Sequence, residues 1–173
     1  MIVIVMGVSG IGKTAIGSRL ANALGWLFID ADEHHPPQNV AKMAGGTPLT
    51  DEDRWPWLER LNALLRETQG RGESAVLACS ALRSEYRRRL TADLIEHRIV
   101  FLHGDAALIR ARLRTRRHRY MPASLLDSQF AALEPPSHAI AIDVSADIAD
   151  CVASISAALS GDAAPKPGAP PYR

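Results

Sequence analysis

The chain has 173 residues, 47% of them hydrophobic and 23% charged, with a formal net charge of +1. That is room for one domain with a substantial core, and the balanced charge creates no global field that would suggest nucleic acid or an anionic membrane as a partner. No apolar run approaches the roughly 20 residues that span a bilayer, and the two cysteines, Cys79 and Cys151, lack metal or redox spacing, so they read as reduced core residues of a cytoplasmic protein.

Ile2 to Met6 is a β-branched apolar run ended by glycine, the pattern of a strand buried on both faces. No basic region precedes it, so it is read as a strand and not a signal peptide. Next come Gly7, Val8, Ser9, Gly10, Ile11, Gly12, Lys13 and Thr14, which fit G-x-x-x-x-G-K-[ST] at every fixed position. Ile16, Leu20 and Leu24 then mark one face of a helix closed by Gly25. The motif therefore lies between a strand and a helix, where its chemistry requires it. Glycines let the backbone approach a polyphosphate and aim N–H groups at it, and the helix N-terminus adds its partial positive charge. Lys13 is expected to reach the β- and γ-phosphates of ATP, and Thr14 to offer its hydroxyl to Mg²⁺.

Trp26 to Ile29 reads as a second strand, ending in Asp30-Ala31-Asp32. Carboxylates at the C-terminal end of a parallel strand border the ligand crevice. One could hold Mg²⁺ through water and the other accept a proton from an attacking hydroxyl. The third apolar run, Ser74 to Ala78, ends in Cys79-Ser80, without the aspartate that commonly closes such a strand in an ATPase or GTPase. The metal must then draw on Asp30 or Asp32. No Asn-Lys-x-Asp motif is present, which counts against a GTPase. His34 and His35 point in different directions, so they do not suggest a two-histidine metal site. They read either as loop histidines before a proline-started helix or as site residues.

Thr50 to Arg54 opens a longer helix, with Thr50 as N-cap and Asp53 in near capping-box position. Asp51 and Glu52 are explained there by the helix terminus, whereas Arg54 is electrostatically misplaced and suggests a bound anion. Leu58, Leu61 and Leu65 form the buried stripe. Of the arginines from Arg83 to Arg89, Arg83 follows the strand end most closely and is the candidate, the others being read as a solvated face. Ile99 to Leu102 is a fourth strand and Ala139 to Ile142 a fifth. Between them a helix from about Ala106 ends in an arginine-rich segment, Arg110 to Arg119. Solvated helix end, nucleic-acid patch and lid compete as readings; neutral net charge and the absence of interleaved aromatics count against nucleic acid, and the need of phosphoryl transfer for cations on the γ-phosphate and exclusion of water favours a lid closing over ATP. Arg112 is assigned to the nucleotide and Arg116 to catalysis. Ile148, Val152, Ile155 and Leu159 give the last helix.

Strands alternating with helices predict an α/β fold with a parallel sheet covered on both faces. The blocks GVSGIGKT, DADEHHPPQNVAKMAGGTPL, TDEDRWPWLERL, CSALRSEYRRRL and YMPASLLDSQFAALEPP, in this order over most of residues 6 to 136, resemble the gluconokinases of the P-loop kinase type. The resemblance implies a three-layer fold similar to adenylate and shikimate kinases, with a five-stranded parallel sheet and a helical lid at about residues 114–135. It assigns residues 1–160 to the kinase domain and leaves a Pro/Gly/Ala-rich tail at 161–173, expected to be disordered. It implies transfer of the γ-phosphoryl group of ATP to D-gluconate and leaves a homodimer open. Carried over by position, residues 7–14 bind ATP and Mg²⁺, Asp32 is base or metal partner, and His35, Arg54 and Arg83 line the sugar-acid site. The chain departs from the family pattern at Ala31 (usually Gly), at His34 (usually Leu), and at His118-Arg119-Tyr120 (usually Gly-His-Phe). A shikimate or nucleoside monophosphate kinase, and a non-catalytic ATP sensor, are the competing readings.

Overall fold

A computed structural model describes residues 1–115 and 124–161 of the chain. In chain order these form β1 (Ile2–Met6), α1 (Lys13–Leu24), β2 (Leu27–Asp30), a 3-10 turn (Ala31–His34), α2 (Pro37–Ala44), α3 (Asp51–Gly70), β3 (Ala75–Ala78) and α4 (Ser84–Leu90). They continue with β4 (His97–His103), α5 (Ala106–Thr115), α6 (Ser124–Ala132), β5 (Ile140–Asp143) and α7 (Ile148–Leu159). The strands make one sheet in the order β2-β3-β1-β4-β5, and every neighbouring pair is parallel.

β1 shows why the sequence has no polar alternation here. Ile2, Ile4 and Met6 point to one face and pack with Leu58, Leu61 and Leu65 of α3, while Val3 and Val5 point to the other and pack with Ile16 and Leu20 of α1 and Ile155 of α7. All five are fully buried, as a central strand with helices on both sides demands. The expected α/β architecture with five parallel strands is the one observed. No helix among the described residues is long and apolar enough to cross a membrane.

All four strands after β1 differ from the sequence expectation by one or two residues at an end, β3 starting at Ala75 and β5 running from Ile140 to Asp143, and the other two have a visible cause. β2 begins at Leu27, because the Trp26 N–H donates to Ala21 O at 2.9 Å and so still belongs to the end of α1, which Gly25 closes in the left-handed region at φ 67°. The strand consequently extends to Asp30, whose Cα is in register with Ala78 of β3. β4 starts earlier than Ile99, because His97 and Arg98 pair with Ile2 and Val3. That pairing needs only their backbone.

At β1 the chain reverses its direction of travel across the sheet: β2 and β3 lie to one side, β4 and β5 to the other. The loop after β1 thus emerges at the topological switch point, where open α/β sheets bind ligands.

Candidate active site

The loop at residues 7–12 is shaped by its glycines for two different reasons. At Gly10 (φ 79°) a Cβ would come within 2.5 Å of Leu113 Cγ on α5, so the glycine is required for the loop to pack against that helix. At Gly12 (φ 110°) the nearest atom to a Cβ, Ile16 Cδ1, is 3.8 Å away. Backbone conformation, not crowding, demands glycine there. Gly12 is the N-cap of α1 and provides no side-chain cap, which leaves the first N–H groups of that helix free of intrahelical partners and oriented for an anion. The sequence argument treated the glycines alike, as giving a ligand access; Gly10 instead makes room for protein.

Lys13 Nζ lies over the loop and donates to Val8 O at 3.1 Å. Burial pushes its pKa down, and the carboxylates of Asp32 and Asp30 act in the opposite direction. Thr14 Oγ1 donates to Asp30 Oδ2 at 2.9 Å, and Asp30 Oδ1 accepts the Asp32 N–H at 3.1 Å. The hydroxyl is thus paired with Asp30, while exposed Asp32 acts electrostatically on Lys13 and Cys79. Sequence reasoning gave the metal to Thr14 and Asp32; the geometry puts Asp30 beside Thr14. Ala31 between them is fully buried and is absent from the positive-φ residues, so alanine fits without strain where the family usually has glycine. Cys79, at the end of β3, is buried and unpaired, with a thiol pushed up to about 12 by burial. It stays protonated and does not replace the missing strand-end carboxylate.

The 3-10 turn after Asp30 carries the chain to His35, whose ring stacks on Trp57 with centroids 4.0 Å apart and planes 16° from parallel. Trp57 Nε1 donates to Ala31 O at 3.0 Å, which locks the stack to the turn. His35 Nδ1 is buried and lacks a partner among the described residues. Burial, and then the Arg54 guanidinium, lower its pKa to about 4. His35 is therefore a neutral imidazole at physiological pH. Because its folded pKa lies below the unfolded value of about 6.5, the unfolded chain takes up the proton first as pH falls, and stability is lost between about 6.5 and about 4. An NMR titration of the ring is expected to show a midpoint near 4; a midpoint near 6.5 would mean an open, solvated ring.

Arg54 and Arg83, 29 residues apart in sequence, converge on one ring. Their guanidinium carbons lie 5.4 and 5.8 Å from the centroid of Tyr86. Arg54 Nη1 donates to Leu49 O at 2.6 Å, while Thr50 and Asp53 complete a reciprocal capping box at the start of α3. Asp51 is not merely a helix-terminus acid. It accepts from Arg83 Nη1 at 2.8 Å and from the Tyr86 hydroxyl, and those bonds, the tyrosine's first, hold its carboxyl below the usual range. The arginine run on α4 also needs correction: Arg87 is buried, with Nη1 donating to Ala81 O and Leu82 O at 3.1 and 3.0 Å. It braces the turn that presents Arg83 and is not part of a solvated face.

On the other side of the loop a cavity of about 380 Å³ is lined by Gly10, Ile11, Gly12, Ala15, Ile16 and Arg112, together with Val144, Ala146, Asp147, Ile148 and Cys151. Its walls mix apolar side chains such as Ile11, Ile16 and Ile148 with polar groups, and Arg112 Nη2 donates to Val144 O at 2.9 Å, which sets a planar guanidinium at its edge. Such a volume suits a small aromatic ligand. Sequence reasoning selected Arg112 and missed the loop after β5; its only signal was its position at a strand end beside the switch point. Arg116, assigned to catalysis, and the departure at residues 118–120 fall outside the described residues, as do residues 162–173 of the tail. No group of three or more metal-ligating side chains occurs among the described residues.

The model of an AAA domain matches residues 2–136. A probable gluconokinase of Xenopus tropicalis is 44% identical over 173 aligned residues, covering 90% of this chain and 91% of that protein. A solved gluconokinase from Sinorhizobium meliloti 1021 superposes with a TM-score of 0.83 at 40% identity, over 93% of this chain and 92% of that one. The APS kinase of Mycobacterium tuberculosis, with 18% identity and a TM-score of 0.67 over 92% of this chain and 96% of that one, shares the fold. With the identity to its first two relatives spread over nine-tenths of each pair, this chain belongs to the gluconokinase family.

Proposed function

We propose that the chain transfers the γ-phosphoryl group of ATP to the terminal hydroxyl of D-gluconate, giving 6-phospho-D-gluconate and ADP. The observation that carries this reading is the adjacency of two unlike half-sites. The phosphate loop with Lys13 and Asp32 stands at one end of the 3-10 turn. The cluster of His35, Arg54, Arg83 and Tyr86 stands at the other. A sugar acid needs such a partner set: guanidinium forks for its carboxylate and neutral polar groups for its hydroxyls.

In this mechanism the loop N–H groups and Lys13 hold the β- and γ-phosphates, and the cavity beside Arg112 takes the adenine. The terminal hydroxyl oxygen bonds to the γ-phosphorus as the bond to the β–γ bridging oxygen breaks. Asp32 accepts the hydroxyl proton, and ADP leaves with the electron pair. Thr14 and Asp30, their oxygens 2.9 Å apart, fit Mg²⁺, which when bound would neutralise phosphate charge. Positioning and electrostatics carry most of such a reaction. Arg54 and Arg83 grip the carboxylate, Asp51 keeps Arg83 aimed, and Arg116 from the lid adds charge to the transferring group. The reading includes a cytoplasmic enzyme whose partners are small molecules, not nucleic acid or a membrane, and leaves a homodimer open as its assembly. It places the kinase domain at 1–160, with 161–173 as a dispensable tail.

The test is ADP release in a coupled assay, with Mg²⁺-ATP and a panel of gluconate, other aldonates, shikimate and nucleoside monophosphates. Selective turnover of gluconate is expected. Preference for another acceptor would move the error to the cluster around His35, and ATP binding without acceptor-dependent ADP release would favour a sensor.

A further inference from the structure

Helix α6 touches both half-sites. At Gln129 the side-chain amide faces Ser9 of the phosphate loop: Oε1 accepts the Ser9 N–H at 2.7 Å, and Nε2 donates to Ser9 Oγ at 3.3 Å. Just beyond the helix, Glu134 faces the turn between β3 and α4. Its N–H donates to Leu82 O at 2.9 Å, its Oε2 accepts the Ser84 N–H at 2.7 Å, and its Oε1 lies 3.8 Å from Arg83 Nε. Between these two points Leu133 packs against the cores on both faces of the sheet. Asp127 joins α6 to Arg110 of α5 at 2.7 Å.

The chemistry of the two side chains suits their places. Glutamine can accept from a backbone N–H and donate to a hydroxyl at once. It does so beside the phosphates without the repulsion that a carboxylate would bring. Glu134 is charged at neutral pH, because the Ser84 N–H and then the nearby arginines hold its carboxyl below the usual range. It shares Arg83 with Asp51, which accepts from Nη1 at 2.8 Å while Glu134 lies 3.8 Å from Nε.

We propose that α6 and the residues that follow it form a brace, in which Gln129 and Glu134 are positioning residues that fix the phosphate loop relative to Arg83 and so couple nucleotide binding to acceptor binding. The proposal rests on the kinase reading above. A ligand that orders Ser9 orders Gln129 and the helix behind it. The turn that presents Arg83 is then already held, and the second ligand meets a smaller ordering cost. By linkage the effect must be reciprocal.

The test uses the full chain as wild type, Gln129→Ala and Glu134→Gln. The second variant retains an acceptor for the Ser84 N–H and removes only the charge beside Arg83. Binding of a non-hydrolysable ATP analogue is measured by calorimetry with and without saturating gluconate, and binding of gluconate with and without the analogue. Wild type is expected to show tightening of about fivefold or more in both directions. Each variant is expected to bring that ratio toward one and to lower kcat by about tenfold, with the apo melting temperature close to wild type for Glu134→Gln. No tightening in wild type, or a wild-type ratio in both variants, would overturn the brace. A lower melting temperature with an unchanged ratio would do the same, by reducing the contacts to ordinary packing. If wild type turns over another acceptor from the panel, the acceptor reading fails and the same ratios are read with that acceptor.

Discussion

Lys13→Met is expected to lower turnover by about 10³-fold, roughly 4 kcal/mol of transition-state stabilisation, while leaving the apo melting temperature unchanged or slightly raised. The two halves of this result have one cause. Lys13 is partly buried among the loop, α1 and the end of β3, and burial pushes its pKa down. A charge whose folded pKa lies below its unfolded value destabilises the fold at every pH where the unfolded chain is protonated and the folded one is held against it. Methionine keeps most of the side-chain volume and removes that cost, at the loss of one hydrogen bond to Val8 O. The phosphates of ATP restore the charge's worth, because they supply the negative partner that the loop itself supplies only weakly, through Asp32 and Asp30. ATP should therefore stabilise wild type against heat far more than the variant, since a ligand stabilises in proportion to its affinity for the folded state. Turnover within tenfold of wild type would remove Lys13 from the mechanism, and a fall of many degrees in the apo protein would make it a structural residue.

The fold was legible because its signals are local and redundant. A fully apolar strand followed by a phosphate loop and an amphipathic helix has few alternative readings, and four further strands lay within a few residues of their predicted places. What escaped depended on contacts between distant segments. Asp51 looked like a helix-terminus acid because it is one; its second role arises only when α4 brings Arg83 and Tyr86 against α3. Arg87 looked solvated because it stands in a run of arginines on one helix, yet it is Arg87 that turns inward to two carbonyls. Gln129 gave no signal at all, since its partner Ser9 is 120 residues away. His35 and Arg54 were singled out by the family resemblance and by a misplaced charge. The physics behind the histidine, a stack on Trp57 and a nearby guanidinium, became visible only in three dimensions.

Asp32→Asn and Asp30→Asn are expected to fail in different ways, and the contrast divides two roles that the sequence left open. Asp30 is hydrogen-bonded to the Thr14 hydroxyl and, through its other oxygen, to the Asp32 N–H. Asparagine can keep both contacts, with its amide oxygen on the N–H and its amide nitrogen facing the hydroxyl. Only the charge is lost, so the apo fold should be retained. Loss of a carboxylate from a Mg²⁺ site weakens the ion, and more ion compensates. The activity of Asp30→Asn should accordingly rise with free Mg²⁺ and approach within about tenfold of wild type at saturation. Asp32 is exposed and has a different task. As the base that takes the hydroxyl proton, it is worth about 10²- to 10⁴-fold in kcat, and no concentration of Mg²⁺ replaces a proton acceptor. Asp32→Asn should therefore show a kcat reduced in that range and flat against Mg²⁺, with affinity for ATP little changed. Kinetics of both variants across a free-Mg²⁺ series decide the matter. If Asp32→Asn is the one rescued by the ion, the two roles exchange. If it retains wild-type kcat, the proton leaves by another route and Asp32 belongs only to the electrostatic setting of Lys13.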